Sequence, residues 1–114
     1  PGDLEFGTVH FAFDRSDINP DQIPVLNSNG DILTRWKTII VRIEGHADER
    51  GSDEYNLALG QRRADTVKRY LVNYGIDESR ITTVSYGESR PVDTGSNEAA
   101  WYKNRRAEFV ITAK

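Results

Sequence analysis

The stretch GHADERGSDEYNLALGQRRAD, residues 45–65, crowds carboxylates, guanidinium groups and an imidazole into the place where a strand hands over to a helix. Three chemistries can use such a set. A carboxylate pair, Asp14 with Asp48 or Glu49, has the composition of a glycosidase acid and base, for which two carboxylates suffice. His46 and Asp48 offer two metal ligands, but a zinc site takes three or four, the chain has no cysteine, and the other histidine, His10, stands on a different strand. The third chemistry is recognition of a ligand carrying both signs, with Asp48 taking an ammonium and Arg63 a carboxylate in a forked contact. An α-amino acid group bears those two charges on one carbon. Against all three stands a plainer alternative, that Asp48 and Arg63 neutralise each other as a structural ion pair. No nucleophile elbow, phosphate-binding glycine loop or dinucleotide fingerprint occurs, so the residues point to no catalytic residue, no cofactor and no metal.

These side chains need elements to hold them. Thr8 to Phe13 alternates, which predicts a strand with Val9, Phe11 and Phe13 on one face. Asn19 as cap and Pro20 at the first helical position predict a helix over residues 21–36, although Asn27-Ser28-Asn29-Gly30 is poor helix sequence. Ile39, Val41 and Ile43 alternate with polar partners in a second strand, which Gly45 is expected to end. Leu57, Gly60, Ala64, Val67, Leu71 and Tyr74 recur at spacings of 3, 4, 3, 4 and 3, one stripe of a long helix. Ser52 or Asp53 can cap its start, and Gly75 suits a left-handed cap at its end. At about 100° per residue, Arg63 falls roughly 60° from the stripe's centre and Arg62 roughly 160°. Arg63 is thus expected at the edge of the buried face, beside the loop His46 to Gly51, and Arg62 in solvent. Strands over 81–86 and 107–111, with a short helix over 96–103 between them, complete the chain. Every strand has one apolar and one polar face. That predicts an α/β (α+β) two-layer sandwich, a mixed four-stranded sheet with helices packed on one face.

The chain has 114 residues, one domain's worth, with 37% apolar and 29% charged residues. Its net charge of −3, with acids and bases interleaved, gives no basic patch for nucleic acid. No apolar run approaches the roughly 18 residues of a membrane span. Residues 1–7 read as an N-terminal tail and 8–114 as the domain. Pro1-Gly2 looks like a trimmed start, which is compatible with an export signal or anchor ahead of it.

The 45–65 stretch, together with VHFAFDRSDI (9–18), VSYGESRP (84–91) and NEAAWYKNRR (97–106), resembles the OmpA-like peptidoglycan-binding domain, and within that family its lipoprotein branch. The resemblance runs over residues 8–112. It implies an OmpA C-terminal-like fold and non-covalent binding of peptidoglycan through diaminopimelate, whose side chain ends in an amino acid group. The family's loop aspartate falls on Asp48 and its helix arginine on Arg63. In the lipoprotein branch a Phe-Asp pair also lines the pocket, here Phe13 and Asp14. Glu49, Arg50, Asn56 and Leu59 are secondary candidates, and of the paired arginines Arg105 and Arg106 the second either buttresses the pocket or starts the last strand. The resemblance also implies a periplasmic setting, attachment to the outer membrane of a Gram-negative bacterium through an anchor absent from this chain, and a Tol-system partner such as TolB. The reading from another class is a peptidoglycan-cleaving or metal-dependent hydrolase.

Overall fold

A computed structural model describes residues 4–114; Pro1-Gly2 lies outside the described residues. The strands are β1 (Val9–His10), β2 (Ile40–His46), β3 (Ile81–Gly87) and β4 (Arg106–Ala113), and the α-helices are α1 (Ile23–Arg35), α2 (Asp53–Tyr74) and α3 (Glu98–Asn104). They form one mixed sheet in the order β1-β4-β2-β3. β4 pairs antiparallel with β1 and β2, whereas β2 and β3 run parallel with α2 as the crossover between them. Val9, Val41, Ile43, Ile81 and Ala107 of the sheet share one core with Leu26 and Leu33 of α1 and Ala64, Val67 and Leu71 of α2. The expected two-layer sandwich is therefore the observed one. Among the described residues no helix is long and apolar enough to cross a membrane.

Several elements differ from the sequence pattern, each for a physical reason. The β1 ladder is only two residues long. Phe11 still donates its N–H to the Arg105 carbonyl, but the chain then turns, with Arg15 N–H closing on the Ala12 carbonyl and Asp14 in left-handed backbone at φ 58°. Phe13, expected inward with Val9 and Phe11, is 55% exposed as a result. α1 is preceded by a 3-10 turn, Pro20–Gln22, capped by Asn19, whose side chain accepts from the Asp21 N–H. The weak helix formers inside α1 serve tertiary contacts instead of helix propensity. Asn29 is buried and bonds both the N–H and the carbonyl of Gly7, and Asn27 accepts from the Tyr70 hydroxyl. A Cβ on Gly30 would stand 2.6 Å from the Tyr74 ring, so a larger residue there would have to displace that ring. With Leu4 and Phe6 also packed on the core, residues 4–7 lie against the domain.

Gly45 does not end β2, which runs through His46. Its role is close approach: a Cβ at Gly45 would sit 1.8 Å from the Gly60 carbonyl oxygen, so the strand and α2 touch backbone to backbone. α2 begins at Ser52, whose hydroxyl accepts from the Tyr55 N–H, and ends at Gly75, with φ 116° and its N–H on the Leu71 and Val72 carbonyls. Its buried face is Asn56, Leu59, Gly60, Arg63, Ala64, Val67 and Leu71, so the stripe starts one residue earlier than the apolar pattern suggested. Leu57 and Tyr74, expected inward, are exposed. Two polar residues, Asn56 and Arg63, take inward positions near the strand end.

Candidate ligand-binding site

A pocket of about 210 Å³ opens where the loop after β1, the β2–α2 loop and the first turns of α2 meet. Of the residues singled out from sequence, Phe13, Asp14, Asp48, Arg50, Asn56, Leu59 and Arg63 all line it, together with Ala47, Gly51 and Tyr55. Glu49 and Arg106 do not. Glu49 points toward α3 and accepts from the Trp101 indole N–H. Arg106 opens β4 and bonds Glu108 together with the carbonyls of Arg90 and Asn104.

Arg63 is the largest fully buried side chain described, at the centre of the helix's inner face and not at its edge. Its Nε donates to the Arg15 carbonyl, Nη1 to His46 and Nη2 to Ala12, at 2.8, 2.8 and 3.2 Å. One guanidinium thereby ties the β1 loop and the end of β2 to α2. A carbonyl accepts without cancelling charge, so the positive charge stays. Burial lowers the Arg63 pKa to about 10, against the pull of Asp48, which leaves it protonated at neutral pH. The ion pair between Asp48 and Arg63 that the sequence allowed is not formed. Asp48 instead takes Arg50, with Nη2 at 2.8 Å from Oδ2, Nε at 3.2 Å from Oδ1, and the Arg50 backbone N–H at 2.9 Å from Oδ1. Arg105 stands 3.7 Å from the same carboxylate and donates to the Phe11 carbonyl and to Glu98. Burial alone would raise the Asp48 pKa. The hydrogen bonds from Arg50 and the charges of Arg50 and Arg105 outweigh it and hold the carboxyl below its ordinary value. A carboxylate so stabilised is a poor proton donor.

The rim is aromatic. The Arg50 guanidinium lies 3.9 Å from the ring centroid of Phe13 and 3.9 Å from that of Trp101, held between the two. Tyr55 donates its hydroxyl proton to Asp14. Asn56 closes the bottom, donating to the Asp48 and Arg50 carbonyls and to Glu88. Tyr55, Trp101 and Arg105 were missed as pocket or rim residues. For Arg105 the signal was present, since the paired arginines stood out; of the two readings given for Arg106, the structure has it start β4, while Arg105, just past α3, bonds the Phe11 carbonyl and stands beside Asp48.

On the other face of the sheet Glu44, His46 and Glu108 bring ligand atoms within 4.8 Å of one another. This is not the His46–Asp48 pair considered from sequence: β2 ends at His46, and Asp48 lies in the loop beyond it, where it lines the pocket. Arg42 holds Glu44 and Arg106 holds Glu108, so the acids there are neutralised within the chain. His46 packs on the Tyr86 ring with both nitrogens unpartnered, and burial with nearby Arg106 lowers its pKa to about 4.

A mixed four-stranded sheet with a charged pocket at the β2–α2 junction defines a class, and the sequence model of the OmpA family matches residues 10–105: the chain belongs to the OmpA family. Among individual proteins it is similar to the peptidoglycan-associated lipoproteins. It is 48% identical to that of Haemophilus influenzae over 90% of this chain and 67% of the relative, and 46% identical to that of Pseudomonas aeruginosa over 90% and 60%. The chain thus spans roughly two thirds of the length of these relatives. The crystal structure of the peptidoglycan-associated lipoprotein from Burkholderia pseudomallei superposes with a TM-score of 0.88 at 38% identity, covering 92% of this chain and 89% of that one. The type VI secretion cell wall anchor of P. aeruginosa gives a TM-score of 0.79 at 28% identity, covering 94% and 80%.

Proposed function

We propose that this domain binds peptidoglycan without turning it over, and that it does so by docking the amino acid end of diaminopimelate in the stem peptide. One observation carries the reading. A single pocket brings a carboxylate, Asp48, and a guanidinium with no carboxylate partner, Arg63, to the same small volume. An α-amino acid end complements that pair, the ammonium on Asp48 and the carboxylate toward Arg63. Family membership and similarity to lipoproteins named for peptidoglycan support the ligand class. In the whole protein the domain then tethers the outer membrane or an envelope protein to the cell wall from the periplasm, through an anchor outside this chain. TolB is the Tol-system partner to examine. The hydrolase reading is disfavoured because Asp48 and Glu49, the carboxylates it would pair with Asp14, are both held below their ordinary pKa and are poor proton donors.

Incubation with purified sacculi tests this. Wild type co-sediments and releases no soluble muropeptides, while Asp48→Asn, which keeps shape but removes charge, stays in the supernatant. Soluble fragments would make the protein an enzyme, and unimpaired pelleting of a folded Asp48→Asn would remove Asp48 from the site.

A further inference from the structure

Both charges of the pocket are closed off from solvent. Arg63 is 0% exposed and Asp48 4%, so neither can meet a ligand until something moves. The candidates for movement differ in how they are held. Arg63 is locked by backbone carbonyls, and Arg105 is buried between the Phe11 carbonyl and Glu98. Arg50 is 30% exposed, and its side chain is held only by other side chains: the Asp48 carboxylate and the faces of Phe13 and Trp101. Its Nη2 occupies Asp48 Oδ2, the position an incoming ammonium needs.

We propose that Arg50 is a built-in competitor for the ligand, a guanidinium that fills the cation position on Asp48 at rest and is displaced when a ligand's ammonium takes its place. The inference rests on the proposed function and adds to it a closed and an open state of the same site. It also gives the pocket a selectivity rule. A neutral ligand cannot replace Arg50, because it would leave buried Asp48 with only Arg105, 3.7 Å away and already bonded to Glu98, whereas an ammonium restores the close pair. Phe13 and Trp101 stabilise the closed state by stacking on the guanidinium, and release of Arg50 frees the slot between them for the aliphatic stem of the side chain that brings the ammonium.

The test compares wild type, Arg50→Gln and Arg50→Lys in titrations with a diaminopimelate-containing stem tripeptide, with thermal melts confirming the fold of each. Removing the competitor should tighten binding by about tenfold in Arg50→Gln, with Arg50→Lys between the two, since lysine keeps the charge but loses the fork and the stacking. Binding to wild type should also change Trp101 emission as the guanidinium leaves its face, over a constant background from Trp36, and the change should be smaller in Arg50→Gln, where the ligand's aliphatic stem enters but no guanidinium leaves. If wild type binds and Arg50→Gln binds equally or more weakly, Arg50 is a bystander or a direct ligand contact, and displacement is wrong while the functional reading stands. If neither wild type nor Arg50→Gln binds the tripeptide, the diaminopimelate reading and the displacement fall together.

Discussion

On the helix side of the pocket Arg63 is held by three backbone carbonyls from two segments, whereas on the loop side the Arg50 side chain is held by one carboxylate and two aromatic rings. Both residues are arginines, and both line the same cavity. Backbone carbonyls are fixed by the sheet and the loops, so a side chain bonded to them is as rigid as the fold itself. Side-chain partners can rotate away together. The pocket therefore has a wall set by folding and a wall that ligand chemistry can rearrange, and the two should respond differently to substitution.

The largest effect is expected on the fixed wall. Arg63→Leu removes the donors from three carbonyls and the charge beside Asp48, and losing one partner of a buried polar network costs about 3–5 kcal/mol. Arg63 is thus a folding residue as well as a binding one, and a loss of sacculus binding in this variant means little without a stability measurement. Arg50→Gln, on the loop wall, should shift stability by no more than about 1 kcal/mol, as partly exposed pairs do. Urea titrations of the two variants measure the contrast; equal destabilisation would erase the distinction between the walls.

Next comes the seam that carries the fixed wall. Gly45→Ala would place a Cβ 1.8 Å from the Gly60 carbonyl, and neither backbone segment can move aside without lifting α2 from β2. Overpacking of this kind costs about 1–3 kcal/mol, and a backbone clash belongs at the upper end. Ser52→Ala, which removes only the α2 cap, should cost about 1 kcal/mol. Urea midpoints rank these two variants, and a Gly45→Ala protein as stable as wild type would mean the seam is not in close contact.

The fixed wall also has a back. The His46 carbonyl accepts from Arg63 while its ring lies on the opposite face, buried on Tyr86. Its pKa is lowered from 6.5 to about 4, so between those values the unfolded chain binds a proton that the folded one refuses. Stability contributed by the neutral ring is fully present above pH 6.5 and is lost as pH falls toward 4, a swing of about 3 kcal/mol. His46→Phe should flatten this part of the stability–pH curve relative to wild type. An unchanged slope in that window would place the titration elsewhere.

Layer order and helix boundaries were legible in the sequence because alternation, a long apolar stripe and the Ser52 and Gly75 caps are local signals. The inner face of α2 was legible less well: the stripe was anchored on Leu57, an apolar residue, whereas the chain buries Asn56 and Arg63 to build the pocket. Polar residues at inward positions are where pattern reading fails, and here they coincide with the candidate site. The cluster of Asp48, Arg50 and Arg63 was visible as composition, but the pairing was not. Which of two arginines takes Asp48 depends on distances between loops, and Arg105 and Trp101 arrive from α3, more than fifty residues further along the chain.

The smallest effect is expected from the residue beside Arg63 in sequence. Arg62 is exposed, on the outer side of α2, with its guanidinium 5.8 Å from the Tyr55 ring centroid. That distance is at the outer limit of a cation–π contact, and solvent weakens it further. Arg62→Ala should therefore change stability by no more than about 0.5 kcal/mol, in the range of surface substitutions away from special features. It should also leave sacculus binding close to wild type, because Tyr55 is held toward the pocket by Asp14 and not by Arg62. The pair Arg62→Ala and Arg63→Leu thus differs by one position in sequence and by a large factor in expected effect, because about 100° of helix rotation separates solvent from the fixed wall. Co-sedimentation and urea unfolding of Arg62→Ala are the checks. A loss of binding with unchanged stability would mean that the loop wall extends over Tyr55 onto the outer face of the helix, and that the ligand reaches further than the 210 Å³ pocket.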